Sequence, residues 1–296
     1  MSAPTTVLSA EPRQLSTARG VLRYHEIGTG PPLLLLHGSG PGVTGMRNFS
    51  GNLPVFAEFF RCIVLEFPGF GVSDDFGAHP MVTALDAVEV LVDALALDRV
   101  DIIGNSMGGG VALGFAARHP EKVGRLVTIG GIGKNIFSSG PSEGIRLLQE
   151  FTDNPSRERL VAWLNSMVYD RTLITDELIE QRWRQATDPG TLESARRMYG
   201  SVAFDAMIAA MENSDSPPPW SMLHKITVPA LLTWGRDDRV SPLDMALVPM
   251  RTIPDAQLHV FPRCGHWVMI EQKDAFESAV LAFLLPVSAP RGEHSG

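Results

Sequence analysis

The sequence predicts an α/β protein: a mostly parallel, doubly wound sheet with a helical lid inserted into it. Three observations carry that expectation. From residue 20 to 132, short β-branched or leucine-rich runs alternate with helical patterns, the order of a sheet wound by βα units. Residues 133–216 then carry helical spacing and no strong strand signal. From 217 to 285 the alternation resumes, so both ends of the helical stretch return to one sheet. The expected organisation is an N-terminal extension over 1–19, a core over 20–132 and 217–285, a lid over 133–216 and a flexible tail over 286–296.

Taken in order, residues 21–27 alternate and read as an edge strand ended by Gly28. Leu33, Leu34, Leu35 and Leu36 are apolar on both faces, as a central parallel strand requires. They run into His37-Gly38-Ser39-Gly40-Pro41-Gly42, a loop whose glycines let backbone approach a ligand closely. Residues 49–60 read as a helix, 61–65 as a strand, and 66–71 as the loop after it. Leu85, Val88, Val92 and Leu95 recur at helical spacing. Residues 100–103 form a buried strand before Gly104-Asn105-Ser106-Met107-Gly108, and a helix follows until Pro120. The next strand covers 126–129. Lid helices are expected over 144–151, 156–167, 175–185 and 191–211, with Ser216-Pro217-Pro218-Pro219 as a stiff exit. Strands over 228–234 and 256–261 complete the sheet, and a helix over 273–285 closes the chain.

Composition narrows the function. The chain has 296 residues, 44% of them apolar and 20% charged, which suits a globular domain and not a disordered one. A net charge of −8 without a basic cluster argues against nucleic acid as a partner. Residues 1–19 lack the apolar core of a secretory signal, and no apolar run is long enough to span a bilayer. A cytoplasmic protein that meets a small molecule, with no membrane partner, is the expectation. Cys62 and Cys264 offer neither a disulfide framework nor zinc spacing, and both read as packing residues.

G-x-S-x-G between a strand and a helix is the nucleophile elbow. Gly104 and Gly108 leave room for a sharp turn with Ser106 at its tip, and the Met107 N–H at the helix start points where an oxyanion would form. The motif alone also fits a glycine-rich turn with a harmless serine. A serine hydroxyl needs a base, and the base needs an orienting carboxylate. In the order Ser, Asp, His, each after a strand, Ser106, Asp238 and His266 meet that need. Asp237 is the rival carboxylate, expected instead to bind local backbone or Arg239. Of the eight histidines, His266 alone follows the last strand. His37 is expected to bond the glycine loop.

These motifs resemble the α/β-hydrolase superfamily over residues 20–285, and within it the meta-cleavage-product hydrolases. The carrying residues are His37 to Gly42 with Asn48-Phe49, the elbow, Val168-Tyr169-Asp170, and Ile174 to Leu178 leading to Arg182-Trp183. Trp234 to Arg239 and Cys264 to Trp267 complete them. Residues 243–267 look especially like the steroid-degrading branch. The resemblance implies hydrolysis of a C–C bond in a 2-hydroxy-6-oxo-dienoate during aromatic or steroid ring degradation. It implies no metal, no other cofactor, and a homo-oligomer, dimer or tetramer. By position, Arg182 and Asn105 would hold the carboxylate and 2-oxo end, with Gly40, Asn48 and Trp267 beside them. Ser39 and Met107 would supply the oxyanion N–H groups. Met46, Met167 and Glu66 depart from the family pattern, the methionines as candidates for reshaping an apolar pocket. A carboxylesterase or lactonase would use the same triad without Arg182, and a non-catalytic binding protein on this fold would usually have lost a triad member.

Overall fold

Eight strands form one sheet in the order β1-β2-β4-β3-β5-β6-β7-β8. They are β1 (Arg13–Thr17), β2 (Gly20–Ile27), β3 (Pro32–Leu36), β4 (Arg61–Glu66), β5 (Val100–Asn105), β6 (Val123–Ile129), β7 (Ala230–Gly235) and β8 (Ala256–Phe261). β1 and β2 pair antiparallel, and every pair from β4 to β8 is parallel. The computed structural model describes residues 11–213, 215 and 219–285.

The leucine run explains the centre. β3 is hydrogen-bonded on both sides, and Leu33 to Leu36 are all 0% exposed. Successive side chains alternate between faces. Leu34 and Leu36 join one core cluster with Ile63, Leu65 and Ile102, while Leu33 and Leu35 join the other with Val64 and Ile103. α3 (Pro80–Ala94) and α4 (Met107–Arg118) cover the first face; α12 (Lys273–Leu284) covers the second.

Three expectations need correction. The extension reaches only to residue 12 at most, because Arg13–Thr17 forms the sheet's edge and displaces β2 inward. An exposed edge strand needs little apolar sequence, and Leu15 is its one large apolar residue. The helix expected over 49–60 is two short ones, α1 (Gly45–Phe49) and α2 (Leu53–Phe56). Between them the buried Asn52 amide donates to Met269 O at 3.1 Å and to Glu277 at 2.8 Å, so tertiary bonds override the helical pattern. The helix expected over 191–211 is broken at Gly200 into α8 (Pro189–Tyr199) and α9 (Ser201–Glu212), where Asp153 takes the Ser201 N–H at 3.1 Å.

The inserted helices are α5 (Glu143–Asp153), α6 (Arg157–Met167), α7 (Asp176–Ala186), α8 and α9. α10 (Leu247–Thr252) and α11 (Val268–Glu271) flank β8. The tail over 286–296 and most of the proline exit linker lie outside the described residues. Among the described residues no helix is long and apolar enough to cross a membrane, and no group of three acidic, histidine or cysteine side chains could hold a metal ion. Both cysteines are free and buried, and burial pushes both thiols up.

Candidate active site

Ser106 lies between β5 and α4 with φ +53° and ψ −115°, a left-handed conformation that serine rarely adopts. The neighbouring glycines show why the turn needs them. A Cβ on Gly104 would stand 2.3 Å from Gly108 O, and one on Gly108 would stand 2.2 Å from Leu36 O. The Ser106 N–H is held by Ile129 O at 2.9 Å. As the first residue of α4, Met107 has an N–H with no acceptor inside its helix, so the turn presents a donor beside the serine.

His266 and Asp238 are buried together. His266 Nδ1 lies 2.7 Å from Asp238 Oδ2, and each side chain is 1% exposed. Asp238 Oδ1 accepts the N–H groups of Val240 and Ser241, both at 2.8 Å, so both carboxylate oxygens are bonded. The His266 N–H donates to Met167 O at 2.7 Å, tying the base's backbone to the end of α6. Of the two bonds a triad needs, the structure makes the carboxylate–histidine one. Ser106 and His266 line the same cavity.

Asp237 is 31% exposed at its side chain and pairs with Arg236 at 3.2 Å. Its expected partner Arg239 instead pairs with Glu143 at 3.1 Å and donates to the carbonyls of Asn165 and Val168. The geometry therefore sets Asp238, and not Asp237, against His266. Asp238→Asn is expected to lower kcat by about 10⁴, and Asp237→Asn by less than about threefold. Steady-state kinetics on the two variants checks this; a larger loss in the Asp237 variant would reverse the choice.

The glycine loop after β3 is bonded from several sides. His37 is 0% exposed, and burial holds its imidazole down at about 4, so it is neutral. Its Nε2 accepts the Phe67 N–H at 3.0 Å and its Nδ1 donates to Gly38 O. The expected structural role is what the bonds describe. Asn48 Oδ1 accepts from the Gly38 N–H at 2.9 Å and from Asn105 Nδ2 at 3.0 Å. Asn48 thus supports the loop and orients Asn105 while lining the cavity itself. A Cβ on Gly40 would meet the Trp163 ring at 2.5 Å, so only glycine lets α6 sit against this loop.

Arg182 is the most informative side chain of the lid. The alternative of an exposed helix arginine paired with Glu180 or Asp176 is excluded: Arg182 is 7% exposed, and Glu180 is taken by Arg157 and Arg184. It shares the buried face of α7 with Ala186, four residues on. Its Nη1 donates to Pro41 O at 3.3 Å, and its Cζ lies 5.6 Å from the centre of the Trp267 ring. Gly42, at φ +67°, makes the approach possible, since a Cβ there would stand 2.8 Å from Arg182 O. Among the described residues no carboxylate pairs with this guanidinium, and its Nε has no hydrogen-bond partner. Burial, with Arg47 nearby, pulls it down to about 10. Asn105 Oδ1 is likewise buried without a partner.

The cavity measures about 840 Å³ and is lined by Ser106, His266, Asn105, Arg182 and Trp267 at its polar part. Met167 lines it; Met46 does not, and lies in a separate pocket behind Arg182 and Trp267. Two residues escaped sequence reasoning. Tyr199, at the end of α8, bonds the Ser39 hydroxyl, and burial pushes its phenol up to about 12. Nothing local marks Tyr199, because the contact joins the lid to a loop 160 positions away. Trp163 occupies an apolar helix position that reads as core.

Glu66 carries a further consequence. It is 1% exposed and accepts the N–H groups of Gly45 at 2.8 Å and Met46 at 3.1 Å, fixing the start of α1, which bears Asn48. Arg47 and His25 are its charged and titratable neighbours. Burial raises its carboxyl from 4.5 to about 7. Folding therefore favours the protonated form, and this contribution is fully present below pH 4.5 and lost as pH rises through 7. Glu66→Gln keeps an acceptor and removes the titration. Its Tm relative to the parent is expected to rise between pH 5 and 8, by an amount equivalent to about 3 kcal/mol at most; a flat difference across that window would contradict the assignment.

Residues 31–273 match the alpha/beta hydrolase fold family. The chain is 38% identical over 268 residues to the 2-hydroxy-6-oxo-6-phenylhexa-2,4-dienoate hydrolase of Burkholderia cepacia, covering 89% of this chain and 91% of that protein. It is 39% identical over 269 residues to the 2-hydroxy-6-oxononadienedioate/2-hydroxy-6-oxononatrienedioate hydrolase of Burkholderia vietnamiensis, covering 89% and 90%. The solved meta-cleavage product hydrolase CumD of Pseudomonas fluorescens superposes with a TM-score of 0.79 at 33% identity, covering 92% of this chain and 96% of that one. With the elbow, the buried histidine–aspartate pair and the lid-covered cavity in place, the chain belongs to the α/β hydrolases and, within them, to the meta-cleavage-product hydrolases, serine hydrolases that act on a C–C bond.

Proposed function

We propose that this chain hydrolyses the C–C bond of a 2-hydroxy-6-oxo-dienoate, with Ser106, His266 and Asp238 as its catalytic residues. Arg182 and Asn105 bind the carboxylate and 2-oxo end. The dienol first takes its keto form. Water then adds at the far ketone, its hydroxyl going to the acyl carbon and its proton to the departing carbon. A carboxylic acid and a 2-hydroxypentadienoate result. His266 accepts the proton from Ser106 or water and returns it to the leaving fragment, while Asp238 holds the ring's orientation. The N–H groups of Ser39 and Met107 bind the developing oxyanion. Gly40, Asn48 and Trp267 line the same end.

One observation carries this reading. Arg182 is a buried guanidinium that no carboxylate among the described residues pairs with, on the wall of the cavity that holds Ser106 and His266. Burying such a charge unpaired is costly, and a bound carboxylate offsets that cost with a bidentate pair. An esterase acting on neutral substrates has no use for it. Turnover of yellow ring-cleavage products beside simple nitrophenyl esters tests the reading: dienoate cleavage is expected to dominate, and ester cleavage alone would make the chain an esterase or lactonase. A cytoplasmic homo-oligomer of two or four chains belongs to the same reading, and light scattering on the purified protein tests its oligomeric part.

A further inference from the structure

A second cavity, of about 530 Å³, lies behind Arg182 and Trp267. Arg47, Arg182, Trp267 and Ile270 line both cavities, so these four side chains form the partition between them. Arg182 and Trp267 are buried at 7% and 6% exposure, whereas Arg47 and Ile270 are exposed, and the second cavity opens to solvent beside them. Met46 of α1 and Leu178 of α7 supply apolar wall, with Leu173 before α7. Among the described residues lining this cavity the only charges are the two guanidiniums, and no carboxylate is present.

The partition is lightly held. Arg182 makes one hydrogen bond, to Pro41 O at 3.3 Å, which is long for an N–H donor, and its Nε has no partner to lose. Its guanidinium otherwise rests over the Trp267 ring. Arg47 donates to Gln185, a neutral partner on α7. A turn of the Arg182 side chain therefore carries its charge from one cavity towards the other at the loss of one weak bond. Leaving by the opposite way is harder for an anion. It would have to pass Ser106 and the acyl fragment, and then the exposed Asp205 of α9, the one acidic residue lining the first cavity.

We infer that the cavity behind Arg182 is a second ligand site, which takes the small dienoate product after cleavage and passes it to solvent beside Arg47. This rests on the dienoate reading above and extends it from the reaction to product release. The chemistry of the walls fits such a product. A short conjugated carboxylate is planar and apolar along its chain, which suits Met46, Leu173 and Leu178, and its charge moves from the buried Arg182 to the exposed Arg47 without losing a cation. The volume lies within the range of about 300–1,000 Å³ that holds small ligands. Met46, which departs from the family pattern, is an unbranched and adaptable side chain on this route.

The test follows the departure of 2,4-pentadienoate, the product without its hydroxyl. Protein saturated with it is mixed with excess 2-hydroxy-6-oxo-6-phenylhexa-2,4-dienoate, and the lag before the yellow colour decays measures how fast the occupant leaves. Met46→Phe and Leu178→Phe fill the second cavity from two sides. Each is expected to lengthen the lag at least about fivefold while the single-turnover rate of cleavage stays within about twofold of the parent. Ile208→Phe, which narrows the first cavity on α9, is expected to leave the lag unchanged. A lag that neither folded variant lengthens, or that Ile208→Phe lengthens as much, would overturn the second site while leaving C–C hydrolysis standing. Absence of dienoate cleavage in the parent protein would overturn the hydrolase reading, and this inference with it.

Discussion

Replacing Ser106 by alanine is expected to lower kcat for a dienoate by about 10⁴ or more, the scale of a lost triad member. The loss follows whether the hydroxyl attacks carbon or delivers a water, because either route uses it beside His266. Stability separates this effect from misfolding. Ser106 sits at φ +53°, where a side chain is strained. Alanine keeps the Cβ and the strain; glycine removes both. Ser106→Gly is therefore expected to be as inactive as Ser106→Ala and more stable than it by about 1 kcal/mol or more. Kinetics and thermal melts on the pair check this. A Ser106→Ala protein within tenfold of the parent rate would remove the serine from the mechanism.

Arg182→Ala is expected to cost about 2–5 kcal/mol of transition-state binding for a dienoate. Cleavage of a neutral nitrophenyl ester should change little, since that substrate has no carboxylate to hold. The free protein offers a second readout. Its guanidinium is buried with one bond, to Pro41 O, and no counter-charge among the described residues. The desolvation cost is thus already borne before substrate arrives, and removing the charge should leave Tm unchanged or raise it. A purely structural arginine predicts the reverse: a lower Tm and equal losses on both substrates. That result would return the chain to the esterases.

The sequence makes much of this site legible because its chemistry sits at strand ends. Ser106, Asp238 and His266 each follow a short apolar run, and a parallel sheet aligns those ends. Of the two neighbouring carboxylates in that loop, Asp238 is the one bonded to His266. The binding partner expected for Asp237 is not the one it has, because side-chain pairing on a surface loop depends on where Glu143 and the end of α6 arrive in space. The long helices expected over 49–60 and 191–211 fail for the same kind of reason. Asn52 and Ser201 are captured by Met269, Glu277 and Asp153, which lie far away in the chain. Arg13–Thr17 stayed hidden because an edge strand needs few apolar residues. Met46 looked like a pocket residue by position, but the α1 turn places it behind Arg182. Local pattern fixes which residues can react; long-range contacts fix which of them meet.

The bond from the His266 N–H to Met167 O has a consequence for how the lid breathes. That amide can trade its proton for deuterium only when the end of α6 lifts away from the sheet. Its exchange rate is therefore a clock for lid opening, carried by the same residue that serves as the base. If a dienoate clamps the lid through Arg182, the His266 amide should exchange more slowly in its presence, while amides buried deep in β3 keep their pace.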